Sequence, residues 1–195
     1  KSVEGRILFD DLVKHVDDRT RILSISSVEC NSGFRNDLNR IGTFCKEKGI
    51  LFIVDAIQSL GVLPMDVKRD HIDFLSADGH KWMLGPKGTG VLYANKTLID
   101  GLDALFVGGY SDTGWTISKS NSEIKGLRAD SHRFFYGTQN TALYAGIISA
   151  ADFMLNIGME RVAKRIKSLN QRFVDGILSH SKFDLLTPAE TESRA

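Results

Sequence analysis

Two short apolar runs are each followed by side chains that could carry out covalent and acid–base chemistry. Asp55 and Gln58 follow the first run, and His80 and Lys81 follow the second. Both runs are rich in apolar and β-branched residues, which is typical of buried parallel strands whose ends share one edge of a sheet. A carboxylate, an amide, an imidazole and an amine at that edge match a pyridoxal phosphate (PLP) site. Such a site needs a lysine for a Schiff base and an acid for the pyridinium nitrogen.

Lys81 taken alone would be interpreted as a solvated surface charge. Here it follows a strand that looks buried, and its neighbours are Gly79, His80 and Trp82. Such neighbours can partly desolvate an amine, and desolvation favours the neutral form that attacks a carbonyl. This context favours a catalytic role for Lys81 over a surface role.

Asp55 taken alone would be interpreted as a turn or helix-capping acid. Its apolar lead-in predicts burial, and a buried carboxylate needs a partner. A protonated pyridine nitrogen is one such partner. The charge-assisted hydrogen bond would keep that nitrogen protonated and contribute about 1.5–3 kcal/mol.

Other motifs favour structural roles. Residues 85–90 are rich in glycine, but they lack the spacing of a phosphate-binding loop and precede a strand, so we predict a structural turn. No Gly-x-Gly-x-x-Gly occurs, which argues against a nicotinamide-binding unit. Cys30 has no matched base and is expected to pack as a small hydrophobic residue. The remaining histidines show no metal-ligand spacing: His15, His71, His132 and His180.

The bulk properties are those of an ordinary soluble globular protein, with 42% hydrophobic and 25% charged residues. The net charge of +1 gives no argument for a nucleic-acid or membrane partner. No apolar stretch approaches the ~20 residues that span a bilayer, and residues 1–6 lack the apolar core of a signal peptide. The two cysteines form neither a disulfide framework nor a zinc set, so we expect a cytoplasmic protein.

Apolar patterns in the first half of the chain predict the elements that position these residues. Helical spacing occurs over 9–16 and over 34–48, where Gly49 ends the pattern. Strand patterns occur over 21–28 and 91–94, in addition to the two apolar runs. This alternation predicts an α/β fold, with a mostly parallel sheet covered by helices.

The second half of the chain has a different pattern. Residues 106–133 contain several glycines and little periodicity, which predicts a long loop. A long loop in a compact domain usually has a function. Two helices are predicted, over 140–156 and over 159–178. The inward face of the second helix is predicted to consist of Val162, Ile166, Leu169, Phe173 and Ile177. The polar tail from Pro188 is expected to be frayed.

Five segments together resemble class V aminotransferases, the fold-type I PLP group that includes cysteine desulfurases and isopenicillin N epimerase-like proteins. They are residues 26–38, 55–61, 73–82, 85–93 and 135–141, and they occur in the family's order. The resemblance extends along nearly the whole chain. It implies the fold-type I architecture and a PLP cofactor.

The resemblance also implies individual roles. Lys81 would form the Schiff base, Asp55 would pair with the pyridine nitrogen, and Gln58 would contact the phenolic oxygen of the ring. His80 would lie by the phosphate. Thr138 would reach the phosphate of a neighbouring subunit, because these enzymes are usually homodimers with shared active sites.

One position departs from the family pattern. Cysteine desulfurases often have a phosphate-binding serine three residues before the lysine, where this chain has Asp78. Because a carboxylate repels phosphate, that role does not transfer to Asp78. Ser76 is the candidate substitute.

Family members are much longer than this chain, so the resemblance implies a central fragment. Residues 1–156 would be part of the PLP-binding large domain, and 157–195 would be a connecting helix and the start of a small domain. We predict a PLP-dependent enzyme acting on an amino acid, with the fragment alone inactive. The alternative is an inactive α/β module that serves only binding or dimerisation. Transamination, desulfuration, racemisation and elimination all remain open.

Overall fold

A four-stranded sheet forms the centre of the computed structural model, which describes residues 5–114 and 125–195. The strands are β1 (Ile22–Ser26), β2 (Leu51–Asp55), β3 (Phe74–Asp78) and β4 (Gly90–Ala94), in that spatial order. β1 and β3 each pair with β2 in parallel, and β4 pairs with β3 in antiparallel orientation. The predicted α/β class with a mostly parallel sheet is confirmed.

Helices connect and flank these strands. They are α1 (Phe9–Lys14), α2 (Leu38–Lys48), α3 (Lys96–Ile99), α4 (Thr141–Ile157) and α5 (Met159–Leu178). Short 3₁₀ turns lie at Gly109–Ser111, Ser131–Phe134 and Thr191–Ser193. The sequence pattern predicted all of the longer helices and missed α3. Part of the predicted loop at 106–133 lies outside the described residues.

The crossover helix α2 begins later than its sequence pattern predicted. Asp37 caps it by accepting a hydrogen bond from the Arg40 amide, and Gly49 ends it in a left-handed conformation with φ 66°. The predicted start at Phe34 is wrong, because Phe34 instead forms a β-bridge with Arg194.

The two faces of the sheet have different surroundings. On one face, Phe52 and Val54 are fully buried against α2, and this face holds the hydrophobic core. The opposite face includes Ile22 and Leu92, which are 54% and 69% exposed. Side chains alternate between faces along a strand, so each strand contributes to both surroundings. We refer to the face with Phe52 and Val54 as the covered face, and to the face with Ile22 and Leu92 as the open face.

Helices α4 and α5 meet at Gly158, which has φ +91°. The predicted inward face of α5 is partly wrong: Val174 is buried, whereas Leu169 and Phe173 are 42% and 65% exposed. Within the described ranges no single helix is long and apolar enough to cross a membrane. α4 and α5 together, with a 78° bend, meet the length and composition criteria.

The tail predicted to be frayed is in fact packed against the body of the chain. Pro188 is fully buried and Arg194 is 5% exposed. The Arg194 guanidinium donates to the Gln171 side chain, and the Ala195 amide donates to the Gly33 carbonyl at 3.1 Å. Polar composition predicted disorder here, but these polar groups find hydrogen-bond partners far away in the sequence.

Candidate active site

Three polar side chains lie in register at the carboxyl ends of the parallel strands. Asp55 ends β2 and is aligned with Ser26 of β1 and Ser76 of β3. Residues aligned across parallel strands share a face, so all three side chains lie on the open face. Asp78 follows two residues after Ser76 and belongs to the same face. The open face therefore carries carboxylate and hydroxyl groups at the edge where sequence patterns predicted the site.

Asp55 forms a tight turn as well as ending a strand. Its Oδ1 accepts a hydrogen bond from the Ile57 amide at 2.9 Å. Within the described part of the chain, Oδ2 makes no hydrogen bond to protein, and the side chain is partly exposed. The turn role and the ligand role proposed for Asp55 are therefore compatible, because each uses a different oxygen. Gln58 lies in the same turn and is partly buried.

The turn after β3 holds His80 and Lys81 in a closed loop. The Gly79 amide donates to the Thr89 carbonyl at 2.8 Å, and the Gly85 amide donates to the Gly79 carbonyl at 2.7 Å. A Cβ at Gly79 would lie 2.1 Å from Thr89 Oγ1, so a larger residue there would force the Thr89 side chain to move. The glycine-rich segment 85–90 thus closes this loop, which confirms its predicted role as a structural turn.

The Asp55 turn and the Lys81 loop contact each other at Gly61. A Cβ at Gly61 would lie 2.4 Å from the Trp82 carbonyl oxygen, and Gly61 has φ +100°, which favours glycine. Trp82 directly follows Lys81, and Gly61 lies at the end of the turn that starts at Asp55. This contact therefore joins the Lys81 loop to the Asp55 turn. The two strand ends therefore form one continuous edge.

Helix α4 supports this edge from the side. Ile147 is 8% exposed, and its Cδ1 would lie 2.9 Å from a Cβ at Gly79. One residue earlier, Gly146 packs against Pro86, where a Cβ would be 2.5 Å from the proline ring. The position of the Lys81 loop is thus fixed by packing as well as by its own hydrogen bonds.

Asp78 lies beside His80. Its Oδ2 is 3.7 Å from His80 Nδ1, and the side chains are 50% and 35% exposed. A pair this exposed contributes little to stability. A protonated His80 would nevertheless offset, with its positive charge, the negative charge that Asp78 presents to an anion.

A family model described as Aminotransferase class-V matches residues 1–195. The chain belongs to the class V aminotransferase family.

Known members of this family resemble the chain in sequence and in fold. A probable cysteine desulfurase from Pyrococcus abyssi is 30% identical over 174 residues, which are 89% of this chain and 42% of that protein. The apo structure of a cysteine desulfurase from Thermococcus onnurineus superposes with a TM-score of 0.86 and 25% identity, covering 100% of this chain and 47% of that one.

A second solved structure provides a link to the cofactor. A variant of C-DES, a cystine C-S lyase, carries glycine covalently linked to its PLP cofactor. It superposes with a TM-score of 0.75 and 26% identity over 87% of this chain and 44% of that one. The chain spans less than half the length of each of these relatives.

Six of the residues singled out from the family resemblance lie near or just after the ends of β2 and β3, and one lies elsewhere in the chain. The group at the edge is Asp55, Gln58, Ser76, Asp78, His80 and Lys81. Lys81 is partly buried there. Thr138 is exposed and lies in the segment before α4, as a contact to another subunit would require. That intersubunit role stays a prediction.

Some residues of this class V chain were missed or misjudged from sequence. The buried hydroxyls of Ser27 and Ser59 lie 2.6 Å apart beneath the Asp55 turn, and no local pattern signals a contact across 32 positions. Cys30 was expected to pack in the core but is exposed. Cys45 is the buried thiol, and burial, with a smaller effect of Asp73, raises its pKa to about 11.

Proposed function

We propose that this protein is a PLP-dependent enzyme that acts on an amino acid, with Lys81 as the residue that binds PLP through a Schiff base. The observation that carries the proposal is the packing of the Asp55 turn against the Lys81 loop at Gly61. That contact supports the proposal because it brings the turn that carries the acid next to the loop that carries the amine, and PLP requires both groups.

The donor set at this edge fits the two ends of the cofactor. Asp55 Oδ2 would accept a hydrogen bond from the pyridine nitrogen, and Gln58 would donate to the phenolic oxygen. His80 and Ser76 would lie toward the phosphate. PLP, when bound, supplies an electron sink for charge that develops at the substrate α-carbon. The chain's own contribution would be to hold the ring nitrogen protonated through Asp55 and to move a proton at that carbon through the Lys81 amine.

Cysteine is the first substrate to test. The relatives named above are cysteine desulfurases and a cystine C-S lyase. The proposal for this chain is broader, and covers an amino acid whose amine exchanges with the Lys81 amine.

We also propose that the enzyme is a homodimer with a shared active site. Thr138 is exposed next to an apolar patch, defined by Leu105, Phe106 and Tyr136, which are 87%, 72% and 65% exposed. The rings of Phe106 and Tyr136 pack with centroids 5.9 Å apart. A patch of this kind supports an interface between subunits.

The dimer has its own test on the intact protein. Light scattering should report twice the chain mass, and Thr138→Ala should weaken PLP retention. Thr138→Ser keeps the hydroxyl, so it is the matched control and should retain PLP. A monomer that binds PLP equally well with and without Thr138 would contradict the shared site.

Domain organisation and compartment remain part of this proposal. Residues 1–156 would belong to the PLP-binding large domain, and 157–195 would begin a smaller one. The free thiols of Cys30 and Cys45 support a cytoplasmic location.

The rival function is an inactive α/β module that only binds partner chains. The observation that favours it is Asp78, a half-exposed carboxylate beside the position proposed for the phosphate. An inactive module would still have the fold but would not bind PLP covalently.

Reduction with borohydride separates the two functions. We expect the intact protein with PLP to show a visible absorbance band, which borohydride removes while leaving the pyridoxyl group on Lys81. Lys81→Ala should lack the labelled peptide, and Lys87→Ala, which changes an exposed lysine of the same loop, should retain it. A wild-type protein that shows no band would support the inactive module.

A further inference from the structure

The Asp55 turn is attached to the neighbouring strand by two buried hydroxyls. Ser27 follows β1 and is 3% exposed, and Ser59 lies in the Asp55 turn and is fully buried. Their Oγ atoms are 2.6 Å apart. We propose that Ser27 and Ser59 are positioning residues that hold Asp55 and Gln58 toward the cofactor. This inference rests on the proposed function.

The Asp55 backbone carbonyl is the point at which the pair acts. It accepts hydrogen bonds from the Ser27 amide at 2.8 Å and from Ser27 Oγ at 3.1 Å. Ser59 Oγ is also 3.3 Å from the Ala56 carbonyl. Two hydroxyls have two protons for these three contacts. Donation from Ser59 to Ser27, and from Ser27 to Asp55, uses both protons on the shorter contacts.

The pair lies on the opposite side of the sheet from the Asp55 carboxylate. Ser26 is aligned with Asp55 on the open face, so the next residue, Ser27, belongs to the covered face. The two serines therefore hold the backbone of Asp55 from the covered face, while the Asp55 side chain remains accessible on the open face. They cannot contact the cofactor and can act only through the position of the turn.

Asn36 extends this support to the end of β1. It is 4% exposed. Its side-chain Nδ2 donates to the Ser26 carbonyl at 2.8 Å, and its backbone N–H donates to the Ser27 carbonyl at 3.0 Å. The strand end to which the Asp55 turn is bonded is thus itself fixed. A buried network with all members paired is rigid, whereas removing one member leaves a polar group unpaired.

The test uses the intact protein loaded with PLP. We expect Ser27→Ala and Ser59→Ala each to raise the dissociation constant of PLP about three- to tenfold, the loss typical of one hydrogen bond. Both should shift the spectrum of bound PLP toward that of Asp55→Asn. The double variant should be no worse than the poorer single variant, because the hydroxyls act as a pair.

Two further variants separate positioning from general stability. Ser32 is a buried serine, 2% exposed, whose bonds run to Gly5 and Phe34 rather than to the Asp55 turn. Ser32→Ala should lower the melting temperature and leave the spectrum unchanged. Ser27→Thr keeps the hydroxyl, and Ser27 lines a cavity of about 550 Å³. It should restore both the spectrum and PLP binding.

Hydrogen exchange of the PLP-free protein provides a readout that needs no cofactor. Ser59→Ala should increase exchange over residues 55–61, and Ser32→Ala should not. Ser59→Cys replaces Ser59→Ala if the alanine variant does not fold. A wild-type band with unchanged spectrum and affinity in both serine variants would overturn the positioning role alone. A wild type with no PLP band would overturn the proposed function and this inference with it.

Discussion

The covered and open faces of the sheet are built from the same strands but differ in burial and in the side chains they carry. The covered face has fully buried side chains, such as Phe52 and Val54, packed against α2. The open face carries Asp55 and Ser76 and leaves Leu92 69% exposed. Changes on the covered face should therefore alter stability, and changes on the open face at its carboxyl edge should alter chemistry. We therefore expect substitutions to change stability and chemistry separately.

The largest expected effect is on the covered face. Phe52→Ala removes a fully buried ring from the core, and should lower the free energy of unfolding by about 3–5 kcal/mol. Leu92→Ala, on the open face, should change it by less than about 0.5 kcal/mol. Urea unfolding of the two variants measures this difference. Equal losses would show that Leu92 is covered in the intact protein and that the two faces do not differ in burial there.

The next effect in size concerns chemistry on the open face. Asp55→Asn removes the charge, while the new amide oxygen can still accept from the Ile57 amide. We expect turnover to fall about 10²- to 10³-fold, with the Schiff base still formed, since protonation of the ring and not attachment is lost. Steady-state rates and the visible band measure the two parts. Unchanged turnover with bound cofactor would make Asp55 only a structural turn residue.

Gly61→Ala should lower both the stability of the protein and its affinity for PLP. The added Cβ would lie 2.4 Å from the Trp82 carbonyl, in a backbone conformation with φ +100°. We expect a loss of about 1–3 kcal/mol in unfolding free energy, together with weaker PLP binding as the two loops separate. Gly176→Ala in α5 is the control, because its Cβ would meet nothing within 4 Å. Gly61→Ala with normal PLP affinity would show that the loop contact does not shape the site.

The last effect is a pH dependence of the covered face, which is absent at neutral pH. Burial raises the pKa of Cys45 from 9.0 to about 11. Below pH 9 the thiol is protonated in both states, so its contribution to stability is complete. As the pH rises toward about 11, the unfolded thiol ionises while the folded one does not, and stability falls. Unfolding free energies measured between pH 8 and pH 11 should decline less steeply in Cys45→Ala. Identical slopes would contradict this assignment.

Local patterns predicted the positions of Asp55 and Lys81 in the fold because both residues lie at or just after strand ends. Asp55 and Lys81 could be found from their apolar lead-ins, and Gly49 from its place after a helical pattern. The errors arose where distant partners decide the structure. Phe34 was assigned to α2 but pairs with Arg194, and the polar tail around Arg194 was expected to fray.

Two other features could not be read from local spacing. The apolar stripe of α5 predicted Phe173 as inward-facing, but it is 65% exposed in the described structure. The contact between Ser27 and Ser59 joins positions that no sequence period relates. Packing and long-range hydrogen bonds set both, and neither leaves a pattern that a single sequence displays.

A crystal structure of the intact protein with PLP would show directly whether Lys81 and Asp55 hold the cofactor. We predict a covalent bond from Lys81 Nζ to the cofactor, and Asp55 Oδ2 within hydrogen-bond distance of the pyridine nitrogen, on the open face. A structure with the Lys81 amine and the Asp55 carboxylate on opposite faces of the sheet, or with PLP bound to another lysine, would contradict the account.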